Sequence, residues 1–160
     1  MWQIPWGLTV SQVAEWLPPD SLPAAAAHPI HILINRQTQH TLNQAYVELA
    51  SLEKAKTLVR ANLKDGKIGE RPIGVALSSQ QELIENVFPG WAPGFHGVDA
   101  SNPSYEGVLI TPGELDNLAD TFSLDTVWAK RAPERMFLQL ATIITKVLAR
   151  QRPLRSPSFG

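Results

Sequence analysis

Four histidines, His28, His31, His40 and His96, and no cysteine are what this 160-residue chain offers a metal ion or a nucleophilic mechanism. None of the four has a neighbour at metal-ligand spacing. The lack of cysteine excludes disulfides, thiolate zinc sites and thiol nucleophiles. "DGKIGERP" (65–72) carries two glycines but neither the spacing of a phosphate-binding loop nor a strand leading into a helix. "VALSSQ" (75–80) offers serines without a Gly-x-Ser-x-Gly elbow. The residues thus point away from catalysis, and no cofactor or metal is expected. What remains is recognition by rings that can stack and cations that can meet anions.

The bulk numbers bound that recognition. An apolar fraction of 44% with 18% charged residues is that of a globular chain. Its 14 basic and 15 acidic residues leave a formal net charge of −1. A nucleic acid would therefore be met by local patches, not by a global field. No apolar run approaches the roughly 20 residues of a membrane span. The N-terminus shows no basic region leading into an apolar core, so no secretory signal is read there. Nucleus and cytoplasm are the compartments expected, with the nucleus favoured.

The elements that must position any site follow from periodicity. Thr9 and Gln12 form a capping box, Val10, Val13, Ala14 and Leu17 recur at helical spacing, and Pro18-Pro19 stops the helix. Ile30, Ile32 and Ile34 alternate with His31 and Leu33 as a strand. The polar run Asn35 to Asn43 is expected to be a hairpin-like loop, and Ala45, Val47 and Leu49 a second alternating strand. Ser51 caps a helix burying Leu52, Ala55, Leu58 and Val59. Ile73, Val75 and Leu77 alternate again, and Ser78 or Ser79 caps a helix through Leu83, Ile84 and Val87. Residues 89–107 are rich in Gly and Pro yet carry Trp91, Phe95 and Tyr105, which suits a segment laid across a surface. "TPGE" (111–114) is a second capping box for a helix with Leu115, Leu118, Ala119 and Phe122 on its apolar face. Pro133 can open the longest helix. Its apolar stripe is Met136, Phe137, Leu140, Ile143, Ile144, Val147 and Leu148.

With a short first strand over Met1 to Ile4, residues 1–88 run strand, helix, strand, strand, helix, strand. "IPWGLTVSQVAEWL" (4–17) resembles the opening of the first helix in the quasi-RRMs of heterogeneous nuclear ribonucleoproteins. "QAYVELASLEKAKTLV" (44–59) is similar to the third strand and second helix of RNA-recognition motifs (RRMs) in general, and "IGERPIGVALSS" (68–79) fits their last strand. The second half is similar to RRM proteins of filamentous fungi. The resemblance implies an α+β fold, an RRM-type βαββαβ sandwich of ferredoxin-like kind with a helical C-terminal extension. The boundaries expected are 1–88 for the RRM-like domain, 89–107 for the connector, 108–150 for a helical extension packed on the domain, and 151–160 for a disordered basic tail.

What the resemblance implies for function is single-stranded RNA, in an RNA-processing or regulatory assembly. RRMs stack bases on aromatics of the sheet's outer face, each worth roughly 1–3 kcal/mol. Their third-strand signature wants a basic residue, Gly, an aromatic, a small residue and a second aromatic. Residues 42–46 supply Leu42, Asn43, Gln44, Ala45 and Tyr46, keeping one aromatic of two and losing the cation. Alternation puts Trp2, His31, Leu33, Tyr46, Gly74 and Ala76 on that face, flanked by Gln44 and Glu48. Three occupants compete for it. RNA can stack on Trp2 and Tyr46, beside Gln44. RNA can instead be held by loops, as quasi-RRMs imply, through Trp6, Arg36, His40, Lys67 and Arg71. Or protein covers the face, from residues 89–107 and the last helix or from a partner. Against each stands a plainer role: Trp6 and Trp16 packing the first helix, the loop cations merely solvated, the last helix's stripe as core. The rival function is a protein-interaction module that has lost RNA, with Met136, Leu140, Ile143 and Val147 seating a partner or a second copy. The expectation is a strand retained, with its platform largely covered.

Overall fold

Thr9 Oγ1 accepts from the Gln12 N–H at 3.2 Å while Gln12 Oε1 accepts from the Thr9 N–H at 3.0 Å. This closed capping box opens α1 (Val10–Trp16). The computed structural model describes residues 1–35, 41–62, 66–96, 99–100, 108–122 and 134–151. Within them the other helix starts are equally local. Ser51 Oγ accepts from Lys54 N–H ahead of α2 (Leu52–Asn62), and Ser79 Oγ from Glu82 N–H ahead of α3 (Gln80–Val87). Thr111 and Glu114 exchange bonds at the start of α4 (Pro112–Phe122). The last helix, α5, runs Glu134–Gln151.

The longest strands, β1 (Ile30–Ile34) and β2 (Thr41–Val47), pair antiparallel, with Ile30 opposite Val47, His31 opposite Tyr46 and Ile32 opposite Ala45. The N-terminal residues lie along the far side of β2. Ala45 N–H donates to Met1 O and Gln3 N–H to Asn43 O, both at 3.0 Å. On its other side Trp2 exchanges both backbone bonds with Gly74, at 2.9 and 3.0 Å. Four extended segments therefore lie side by side in the order β1, β2, Trp2, Gly74. Two short hairpins complete the β structure. One joins β3 (Lys67–Ile68) to β4 (Arg71–Pro72) through Gly69, whose φ of +60° suits a residue without Cβ. The other joins β5 (Phe95–His96) to β6 (Asp99–Ala100). The fold is thus mixed α+β, with small antiparallel sheets and five described helices.

Alternation divides the side chains between two cores. On the inner face Ile30, Ile32, Ala45, Ile73 and Val75 pack with Ile4, Leu8, Val13, Leu17, Leu58 and Ile68 beneath α1 and α2. On the outer face Leu33 and Tyr46 pack with Leu83, Ile84, Val87, Phe88, Trp91, Phe95, Leu118 and Ile143. Because both faces are covered, every residue of β1 is buried. A one-sided sheet would have left its alternate residues in water.

Some expectations shift. β2 begins at Thr41, inside the polar run read as loop, because Thr41 pairs with Ile34. The alternating run from Ile73 ends early: Leu77 is exposed. On α4 Leu118 is buried but Leu115 is exposed, and on α5 Ile143 is buried while Phe137 and Ile144 face outward. Tyr105 lies outside the described residues.

One residue on the outer face tolerates no side chain. A Cβ on Gly74 would stand 1.9 Å from the Trp2 ring, so the indole lies directly on the glycine backbone. Gly74→Ala should push Trp2 off the sheet and cost about 1–3 kcal/mol, read as a lower urea midpoint at unchanged slope.

Candidate functional site

The outer face is where an RRM would bind, and in this chain most of it is occupied. Tyr46 is 8% exposed. Its hydroxyl donates to Glu82 Oε1 at 3.2 Å and accepts from Asn86 Nδ2 at 2.9 Å and Gln44 Nε2 at 3.1 Å. Gln44 also donates to Asn86 Oδ1 at 3.1 Å. Burial, with the Glu82 carboxylate beside it, pushes the Tyr46 phenol up to about 12. Two RNA candidates, Gln44 and Tyr46, are thereby tied to α3. Trp2 keeps 44% of its surface in contact with solvent. Its ring is an open part of the outer face, and a single ring offers one stacking position.

A polar seam closes the other side. Along α5, Arg135, Gln139, Thr142 and Lys146 are all buried. Spaced four, three and four residues apart, they share one helix face. Arg135 donates to Leu8 O at 2.8 Å and to the Thr41 hydroxyl. Gln139 Oε1 accepts from Ile34 N–H at 3.1 Å. Thr142 Oγ1 lies 3.1 Å from both His31 Nδ1 and His28 Nε2. Lys146 donates to Gln80 Oε1 at 3.0 Å and pairs with Glu48. Glu48 Oε1 in turn accepts from His31 Nε2 at 2.7 Å. α5 thus covers β1, the strand at the end of the row, and supplies the acceptor for the Ile34 amide.

Thr142, His31 and Glu48 have the connectivity of a nucleophile, a base and an orienting carboxylate. Yet Thr142 and His31 are both 0% exposed, and the one hydroxyl proton of Thr142 is donated to Leu138 O at 2.9 Å, not to the imidazole. The bonds of Thr142 and His31 hold α5 against β1, and both of these side chains are closed off from solvent. Among the described residues no three His, Asp or Glu side chains converge on a metal position, and no helix is long and apolar enough to cross a membrane.

The loop candidates gather at one end. The antiparallel lines through Trp2, Gln44 and Gly74 carry Pro5-Trp6, the start of β2 and the β3–β4 hairpin to the same end of the sheet. There Trp6 is 61% exposed, and Lys67 and Arg71 are exposed on the hairpin. Arg36 and His40 belong to the β1–β2 connection and lie outside the described residues. Of the interaction candidates on α5, Ile143 is in the outer core, Val147 packs against it and Leu140 is half-buried. The Met136 side chain lies outside the described residues.

Sequence reasoning missed the seam residues of α5 and the role of His28 and His31. A signal existed: His31 stands in an otherwise apolar strand, Glu48 follows directly on β2, and four polar residues recur on one face of the last helix.

The seam sets a pH dependence. Burial pushes the Glu48 carboxyl up, but hydrogen bonds from His31 and Lys146 outweigh it and hold it near 2, below its ordinary 4.5. A depressed carboxylate stabilises the fold above 4.5, and that stability is lost as pH falls toward 2. Burial, then the neighbouring His31, lowers His28, whose contribution falls away below its ordinary 6.5 with the same sign. Resistance to urea should therefore begin to fall below pH 6.5 and fall further below pH 4.5 in the parent. In Glu48→Gln that acid-side slope should be markedly flatter, from a lower starting stability.

The model for the family described as Domain of unknown function (DUF8400) matches residues 1–93. No curated protein and no solved structure matches the chain. The matched span takes in the four extended segments, α1 to α3 and Trp91, more than half of the sequence, so this chain belongs to the DUF8400 family.

Proposed function

We propose that the chain is an RRM-type module that holds single-stranded RNA by the loops at one end of its sheet, in an RNA-processing or regulatory assembly. The order β1, β2, Trp2, Gly74 supports the RRM reading, since it is the strand order that family uses. The observation that carries the loop-held form is the exposed Trp6 at the same end as the exposed hairpin cations Lys67 and Arg71, while Tyr46 is sealed. A ring offers a base its π-face, and the cations meet phosphates on either side of it. A net charge of −1 makes this a weak, salt-sensitive interaction confined to that patch.

A second reading, a protein-interaction module on the same fold, is favoured by Phe137 and Ile144, exposed one above the other on the outer side of α5. Ile144→Asp should leave stability nearly unchanged and, if that side seats a second copy, halve the mass seen by light scattering.

Titration with oligouridine at two salt concentrations tests the RNA reading. Lys67→Ala and Arg71→Ala should each weaken binding and reduce the salt slope by about 0.7. Trp6→Ala should cost roughly 1–3 kcal/mol, and Tyr46→Phe should change affinity little. Parental affinity and slope in all three loop variants would remove it.

A further inference from the structure

The fold treats the buried cations of α5 unequally. Lys146 meets the Glu48 carboxylate, which also accepts from His31. Arg135, 2% exposed, meets no carboxylate among the described residues. Its Nη2 donates to Leu8 O at 2.8 Å and its Nη1 to the Thr41 hydroxyl, both neutral oxygens. Its Nε–H is buried without a hydrogen-bond partner among the described residues. Burial pushes the guanidinium down from its ordinary value, and the neighbouring Glu134, itself exposed, only partly offsets this. Arg135 is also the second residue of α5, where the helix dipole is positive and disfavours a cation. A guanidinium keeps its proton even so, and a buried charge without a counter-charge destabilises the fold. One positive charge is thus left unmatched.

It lies directly behind the loop end. Leu8 N–H donates to Pro5 O at 3.1 Å, closing a turn with Trp6 and Gly7 at its corners. The Leu8 carbonyl at the foot of this turn is the one that Arg135 holds, and its other oxygen belongs to the first residue of β2. In the order β1, β2, Trp2, Gly74, the chain leading to Trp6 runs between Thr41 and the β3–β4 hairpin. We infer that Arg135 is a buried charge that anchors a backbone phosphate of single-stranded RNA at the surface over the Trp6 turn. The inference rests on the loop-held reading and names a second place where that strand meets positive charge. Lys67 and Arg71 take phosphate on the hairpin side of Trp6, and Arg135 attracts it on the α5 side. The guanidinium keeps its own bonds, because it is closed off from water. Its charge acts through protein, where screening by water and salt is weak. Held by Leu8 and Thr41, it needs no reordering when the strand arrives. An anion with a flat ring one link away suits Arg135 and the exposed Trp6 together, and a nucleotide strand repeats that pairing at every residue. An acidic peptide brings the charge without the base.

The test titrates the full chain and its variants with oligouridine at two salt concentrations. Arg135→Gln removes the charge but can still bond to Leu8 and Thr41. It should weaken binding about fivefold to tenfold and flatten the salt slope. Arg135→Lys keeps the charge and loses the two-pronged geometry, and should stay within about twofold of the parent. Equal losses in the two would make Arg135 a structural brace and overturn the proposal. Glu134→Gln, at an exposed position where folding is not at stake, should tighten binding about twofold. Should Arg135→Gln fail to fold, Glu134→Gln decides, and parental or weaker binding in it overturns the proposal. Polyglutamate, titrated in parallel, should bind about tenfold more weakly than oligouridine; equal binding would make an acidic peptide the occupant and overturn it. Losses in Lys67→Ala and Arg71→Ala, with parental binding in Arg135→Gln and Glu134→Gln, would strike this inference and leave the loop-held reading standing. No binding of oligouridine by the parent would strike both.

Discussion

A sheet that carries apolar side chains on both faces must be covered twice. Ile30, Ile32 and Ala45 look inward to α1 and α2, while Leu33 and Tyr46 look outward, and burying either set stabilises it by roughly 25 cal/mol per Å². The second cover is the element on which the rest depends. α3, residues Phe88 to Phe95, α4 and α5 supply it, but β1 also carries His31 and an edge amide at Ile34 that an apolar helix would strand. Burying such groups unpaired costs several times what a methylene gains. α5 answers with two faces. Ile143 and Val147 join the outer core, while Arg135, Gln139, Thr142 and Lys146 meet polar partners on the strands one by one.

That solution closes most of one sheet face. A sheet face that stacks bases must be open, and here the ring best placed for it has its hydroxyl shared among Glu82, Asn86 and Gln44. What the covers leave are the two ends. One gathers Trp6 with the Lys67–Arg71 hairpin. The other holds a cleft lined by Val47, Leu58, Ala76 and Gln80 among others. Gln80, in the wall of that cleft, accepts from Lys146 of the seam, so the two are joined.

Much of this was legible from the residues. Both capping boxes form as the spacing of Thr9 with Gln12 and of Thr111 with Glu114 requires, because a cap is satisfied within one turn and needs no tertiary partner. Strand alternation marked the two faces, and two aromatics of the 89–107 segment, Trp91 and Phe95, are core residues. What local pattern could not give was which side of α5 turns inward. Phe137 and Ile144 lie on the same broad apolar stripe as Ile143 and Val147, and only the position of the sheet decides between them. The polar seam was hidden for a related reason. Thr, Gln, Arg and Lys on a helix read as a solvated face unless their partners on another element are known. The start of β2 at Thr41 was hidden because Thr41, Asn43 and Gln44 are polar and earn their strand geometry from pairing alone.

The central claim is that the chain seals its own outer face around Tyr46. Adding a soluble paramagnetic agent to the full chain and recording proton relaxation side chain by side chain tests it most directly. The Trp2 indole, nearly half exposed, should broaden strongly, while the Tyr46 ring and the Leu33 methyls, beneath α3 and α5, should stay sharp. Broadening of Tyr46 and Leu33 to the extent seen for Trp2 would mean that the platform is open and the cover is not there.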